Sequence, residues 1–147
     1  MDKLTLKNTI LKAQQETIDR LKKEYESYQS GGDLNLEDVR DLDDNSHREE
    51  TEEYLQALET QIRQREWELE KLQGLDFGSK SSVTEGAVAQ VNGQYYVIGI
   101  PACQFDHEGM HFIAMSQDAP FYQELMNKKK NDSFVFSKKQ YTVESIF

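Results

Sequence analysis

The stretch DLNLEDVRDLDDNSHREETEE, residues 33–53, decides how this chain reads. Ten of its twenty-one residues are acidic: Asp33, Glu37, Asp38, Asp41, Asp43, Asp44, Glu49, Glu50, Glu52 and Glu53. Only Arg40 and Arg48 oppose them, so ten acids against two arginines leave −8 of the chain's net −10 here. Segments with helical hydrophobic spacing flank it on both sides. If they fold back on each other, the carboxylates are held at one end of a hairpin, away from any core.

Working outward, the preceding segment repeats Leu4, Leu11, Ile18 and Tyr25 every seven residues. Leu21 and Tyr28 fill companion positions and Ile10 widens the stripe, which predicts an amphipathic heptad helix. Lys7 and Gln14 interrupt it. Gly31-Gly32 predicts a break, each glycine costing roughly 1 kcal/mol against alanine. On the far side Leu55, Leu58, Ile62, Arg65, Leu69 and Leu72 alternate steps of three and four. Ser46 and Glu49 match an S-x-x-E capping box, so this helix is expected from near Ser46 to about Gln73. At 1.5 Å per residue that is about 40 Å. Seams of similar length with a polar connection favour antiparallel pairing. Trp67 lies off the seam and is expected at the junction of helix and domain.

The chain has 147 residues, 37% hydrophobic and 30% charged, which suits a coiled coil plus one small domain. All seven phenylalanines follow Asp76, so the conventional core belongs to the second half. A net charge of −10 argues against direct binding of DNA or RNA, which needs clustered Lys and Arg. The lone Cys103 excludes an internal disulfide and a cysteine zinc site, so no zinc is expected. His47, His107 and His111 show no metal-ligand spacing. No apolar signal region or membrane-length run is present, so a soluble cytoplasmic protein, without membrane contact and monomeric, is expected.

The division expected is a hairpin over 1–73, a linker over 74–82 and a domain over 83–147. Ala87–Val91 and Gln94–Ile100 read as strands around Asn92-Gly93, the strongest short hairpin signal. Met110–Met115, Ser133–Phe136 and Tyr141–Ile146 read as further strands. Ala119–Met126 reads as a short helix with Pro120 at its first position. The expected fold class is α+β: an antiparallel helical hairpin, then a small antiparallel sheet with one short helix.

A charge run is ordinarily a solvated helix face. Here the acids instead peak where the hairpin turns, and Asp41, Asp43 and Asp44 stand close together. Mg²⁺ takes oxygen ligands, keeps several waters and uses one or two carboxylates, so such a tip could complete a metal site half-built by another protein. Lys128, Lys129 and Lys130, with Lys138 and Lys139, form the chain's only basic cluster.

Asp41-Leu42-Asp43-Asp44-Asn45 resembles the Asp-Leu-x-Glu-Asn tip of the bacterial Gre transcript-cleavage factors (GreA/GreB type). Ser116-x-x-Ala119-Pro120-Phe121 and Leu125-Met126-Asn127-Lys128-Lys129-Lys130-Asn131-Asp132 resemble that family's Ser-x-x-Ser-Pro-Ile and Leu-Ile-Gly-Lys-x-x-Gly-Asp. The order of parts is similar too. The resemblance implies an FKBP-like C-terminal domain and docking on RNA polymerase, with Pro120, Phe121, Lys128, Lys129 and Lys130 as contact candidates. It implies a coiled coil in the secondary channel, where Asp41 and Asp44 share Mg²⁺ with the polymerase active site, Asp43 adds charge and Asn45 hydrogen-bonds nearby. The backtracked transcript is then cleaved at its 3′ end by the polymerase, so the chain is expected to be a cofactor and no enzyme. Arg40 and Asp44 stand where the family has glycine and glutamate, and Asn127 and Asn131 replace two glycines. Gly32-Asp33-Leu34 is a rival alignment, with Asp33 and Glu37 as its acids, but it puts Leu36 at the glutamate position. The shorter Asp44 leaves a channel-blocking inhibitor as an alternative, and a coiled-coil scaffold protein is a third reading. A prolyl isomerase would rest on fold analogy alone.

Overall fold

The computed structural model describes residues 1–34 and 42–147, and the side chains of all of these except 31–34 and 42–47. Two long helices come first, α1 (Lys3–Leu34) and α2 (Leu42–Gly74). Six strands follow: β1 (Val88–Val91), β2 (Gln94–Ile98), β3 (Cys103–His107), β4 (Met110–Met115), β5 (Ser133–Phe136) and β6 (Lys139–Ile146). The short helix α3 (Pro120–Leu125) lies between β4 and β5. No helix among the described residues is long and apolar enough to cross a membrane.

Both long helices depart from the sequence reading at the acidic stretch. α1 continues through Gly31-Gly32 to Leu34. Glycine lowers helix propensity but keeps its N–H and C=O, so the ladder is weakened and not cut. α2 begins at Leu42, four residues before Ser46. Ser46 is therefore an internal helical residue, and the expected capping box does not start the helix. The earlier start puts Asp43 and Asp44 in the first turn, where the helix dipole favours negative side chains.

The seam of α1 holds at Ile10, Ile18 and Leu21 but differs in its first turns. Its buried residues are Leu6, Ile10, Gln14, Ile18 and Leu21, whereas Leu4 is 69% exposed. Leu4 sits two residues from Leu6, about 200° around the helix, so the heptad frame counted from Leu4 starts on the wrong face. On α2 the expected stripe holds: Leu58 and Leu72 are buried, and Leu55, Ile62, Arg65 and Leu69 are half-buried.

Two compact units emerge, one of Leu11–Glu70 and one of Met1–Ile10 with Lys71–Phe147. Within the first, cross-helix partners run in opposite directions. Lys22 Nζ lies 2.8 Å from Glu66 Oε1, while the tilted rings of Tyr28 and Tyr54 meet with centroids 4.6 Å apart. The helices are thus antiparallel.

The second unit is a six-stranded sheet in the order β3-β4-β2-β1-β6-β5. The expected antiparallel sheet has one exception, since β2 and β4 are parallel. From β2 the chain passes to the sheet edge as β3 and returns as β4 between them. β3 went unread because Cys103-Gln-Phe-Asp-His107 carries no β-branched residue. Its turn, Glu108 (φ 51°) and Gly109 (φ 78°), has the same left-handed pair as Asn92 (φ 48°) and Gly93 (φ 81°). Strand alternation splits the core into two faces. One gathers Val83, Ala89, Val91, Ile98, Met115, Tyr122, Leu125, Phe134 and Val143 under α3. Val88, Val97, Phe112 and Ala114 are buried on the other.

Residues 75–87 are held in place. Phe77 and Val83 are buried, and Val83 exchanges backbone bonds with Asn127 and Lys128. The first turns of α1 grip this segment. Lys3 Nζ donates to the carbonyls of Gly78 (2.8 Å), Gly86 (2.7 Å) and Phe147 (2.9 Å). Lys7 Nζ donates to those of Gln73 (2.9 Å) and Leu75 (2.8 Å) at the end of α2. Both ammonium groups lie within 6 Å of the Phe77 ring, at 5.8 and 5.6 Å.

Candidate functional site

Two regions carry the candidate residues. In the acidic stretch, Asp43, Asp44 and Asn45 fall on the first turn of α2. Their side chains lie outside the described residues, as do Asp41 and Glu37 altogether. Asp33 falls on the last turn of α1, with no basic residue in that turn to meet the dipole. Among the described residues no cluster of three His, Cys, Asp or Glu could hold a metal ion.

Tyr54 donates its hydroxyl to Glu24 Oε1 across the helices while its ring meets Tyr28. That hydrogen bond, with burial and the Glu24 charge behind it, pushes the Tyr54 phenol up to about 12. Lys22 is raised by its bond to Glu66.

The second region lies on the α3 face of the sheet. Pro120 opens α3 and is exposed, and Phe121 beside it is half-buried. The Phe121 ring centroid lies 5.2 Å from Tyr96, 5.5 Å from Phe134, 5.2 Å from Phe136 and 5.0 Å from Tyr141. These tilted and edge-on contacts match the ring quadrupole preference. Lys128 Nζ stands 5.9 Å from the Phe134 ring and Lys139 Nζ 5.3 Å from the Tyr141 ring. Burial, then the neighbouring Tyr141, raises the Tyr96 phenol. Lys129 and Lys130 are exposed in the turn after α3, where Asn127 (φ 61°) and Asn131 (φ 73°) take the left-handed backbone that asparagine tolerates. The result is an aromatic patch rimmed by lysines. The sequence reading picked out Pro120, Phe121 and Lys128–Lys130 but not Tyr96, Phe134, Phe136 and Tyr141, which only the strand register brings together. Their alternation along β2, β5 and β6 was the available signal.

A cleft of about 530 Å³ is lined by residues that include Lys71, Asp76, Lys80, Glu85 and, just before α3, Ser116 and Asp118. The Asp76 carboxyl is pulled down by its 2.7 Å bond to Lys80, so part of its charge is internally matched. His107 is buried, with Nδ1 2.9 Å from Thr9 Oγ1, and His111 pairs with Asp106 at 2.8 Å.

No protein-family profile matches the chain, and no curated protein matches it. Among solved structures, GreA factor homolog 1 (Gfh1) of Thermus thermophilus is similar at 18% identity and a TM-score of 0.38, covering 93% of this chain and 94% of that one. A second structure, of the transcription factor Gfh1, is similar at 19% identity and a TM-score of 0.35, covering 92% of each chain.

Proposed function

We propose that this chain is a transcription elongation factor that binds RNA polymerase. The acidic end of its hairpin enters the secondary channel and stimulates Mg²⁺-dependent cleavage of backtracked transcripts. The observation that carries the reading is the pairing of two helices, of 32 and 33 residues, whose connection and adjoining turns hold most of the chain's excess acid. The motif Asp41-Leu42-Asp43-Asp44-Asn45 supports it.

Two aspartates and an asparagine supply hard oxygen donors, the kind Mg²⁺ takes alongside retained waters. Asp41 and Asp44 would hold or orient the shared ion, and Asn45 would hydrogen-bond nearby. When bound, Mg²⁺ stabilises charge at the phosphodiester and helps generate the nucleophile. The polymerase contributes the rest of the active centre, so the chain acts as its cofactor. Phe121, Pro120 and the lysines at 128–130 are proposed as the docking face, and the RNA 3′ end is met only within the polymerase.

A second reading rests on Asp44. Aspartate reaches about 1.5 Å less far than the glutamate of the motif it resembles, one carbon–carbon step. A tip that enters without completing the metal site would block the channel and inhibit.

Backtracked elongation complexes test both. Under the first reading wild type releases 3′ RNA fragments and Asp41→Asn/Asp44→Asn does not, while both bind polymerase. Under the second, neither releases fragments and both slow elongation. Absence of polymerase binding in a pull-down removes both and leaves the scaffold.

A further inference from the structure

We propose that Tyr54, joined to Tyr28 and Glu24, is a positioning residue that sets the spacing of the two helical arms where they enter the acidic stretch. The inference rests on the function proposed above for its consequence, though not for its geometry.

The last buried side chains before the acidic stretch are Leu21 on α1 and Leu58 on α2. Beyond these, no side chain at positions 22–30 or 48–57 is fully buried, and the apolar Tyr25 and Leu55 are only half-buried. Hydrophobic burial therefore does little to hold the arms there.

Among the described residues, the Tyr54 clasp joins the two arms across this outer part. It combines a ring pair at 4.6 Å with a hydroxyl donated to a carboxylate, so it resists both separation and sliding. The phenol pushed up to about 12 reflects the same bond.

Leverage shows why this matters. From Leu21 to the end of α1 at Leu34 is about 20 Å at 1.5 Å per residue, and from Tyr28 it is about 9 Å. A splay of about 5° then shifts the arm's end by about 1.7 Å without the clasp and about 0.8 Å with it. Catalytic groups displaced by about 1 Å lose on the order of a hundredfold in rate.

The experiment uses the full chain in a Cys103→Ser background with spin labels at Ser30→Cys and Arg48→Cys. Tyr54→Ala is expected to broaden the distance distribution about twofold, and Tyr54→Phe, which keeps the ring, to recover most of the width. On backtracked polymerase, Tyr54→Ala should lower saturating cleavage about tenfold or more while the half-saturating concentration stays put. A merely structural loss would move both. An unchanged distribution in Tyr54→Ala overturns the proposal, as does a broadened one with full cleavage. If wild type itself cleaves nothing, the functional reading fails, and the distance distributions alone decide the clasp.

Discussion

Lys3→Met tests whether the first turn of α1 belongs structurally to the sheet unit. Methionine keeps an apolar stem of nearly the same length against Phe77 and removes only the ammonium. That group holds three carbonyls, at 2.8, 2.7 and 2.9 Å, and faces the Phe77 ring at 5.8 Å. Hydrogen bonds to charged groups contribute about 1.5–3 kcal/mol when shielded. Lys3 is only half-buried, so solvent screening reduces each to about 0.5 kcal/mol. The cation–π contact adds about 0.5 kcal/mol. The expected loss is about 2 kcal/mol, or about 4–8 °C in Tm for a chain this size. Urea unfolding measures it at pH 7.

The sign of the pH dependence is also set. Burial, then the Lys80 ammonium, lowers Lys3 from 10.5 to about 8, with Asp76 opposing. Between those values the unfolded chain binds more protons than the folded one, so stability rises with pH. The gap between wild type and Lys3→Met should widen from pH 8 to 10. A gap under about 0.5 kcal/mol at pH 7, the range of ordinary surface substitutions, would refute the reasoning. So would a gap that closes as pH rises.

Gly86→Ala should destabilise by more than about 2 kcal/mol in urea, combining left-handed strain with overpacking, because φ is +79° and the new Cβ would meet the Asp76 carbonyl at 1.9 Å. Gly93→Ala, at φ +81° but facing open space, should cost about 1 kcal/mol. Phe121→Ala should cost about 2–3 kcal/mol, below the full value for a buried phenylalanine, and near-ultraviolet circular dichroism should drop as its four ring contacts vanish. In tyrosinate absorbance titration, Tyr54→Phe should remove a phenol titrating at about 12. Its neutral form stabilises the fold below about pH 10, and that contribution fades as pH rises through about 12. Loss of a phenol titrating near 10 instead would show that the Glu24 bond does not form.

Legibility in the sequence followed how local each signal was. Asn92-Gly93 specified its hairpin because both residues must take positive φ, a property of two adjacent positions. Pro120 opened α3 for the same reason of local covalent geometry. The stripe from Leu55 to Leu72 needed only 3.6-residue periodicity. Where that periodicity was diluted, as in the first turns of α1, the seven-residue repeat took Leu4 for the seam, whereas Leu6 is the residue that is buried. Choosing between them required knowing what the helix packs on. Ser137 (φ 48°) and Lys138 (φ 67°) form a left-handed turn without glycine, which no composition rule suggests.

The candidate site divides likewise. Acid density and the Asp41–Asn45 motif are properties of the chain as written, since charge and spacing need no partner to exist. So are the two long amphipathic helices and the count of most strands. The parallel pairing of β2 with β4, the grouping of Tyr96, Phe134, Phe136 and Tyr141 around Phe121, and the Lys3 grip on three distant carbonyls are different in kind. Each joins residues of different elements, well separated along the chain. Such contacts are chosen by which folded arrangement buries apolar surface while satisfying every polar group, and that choice is made only by the whole tertiary structure.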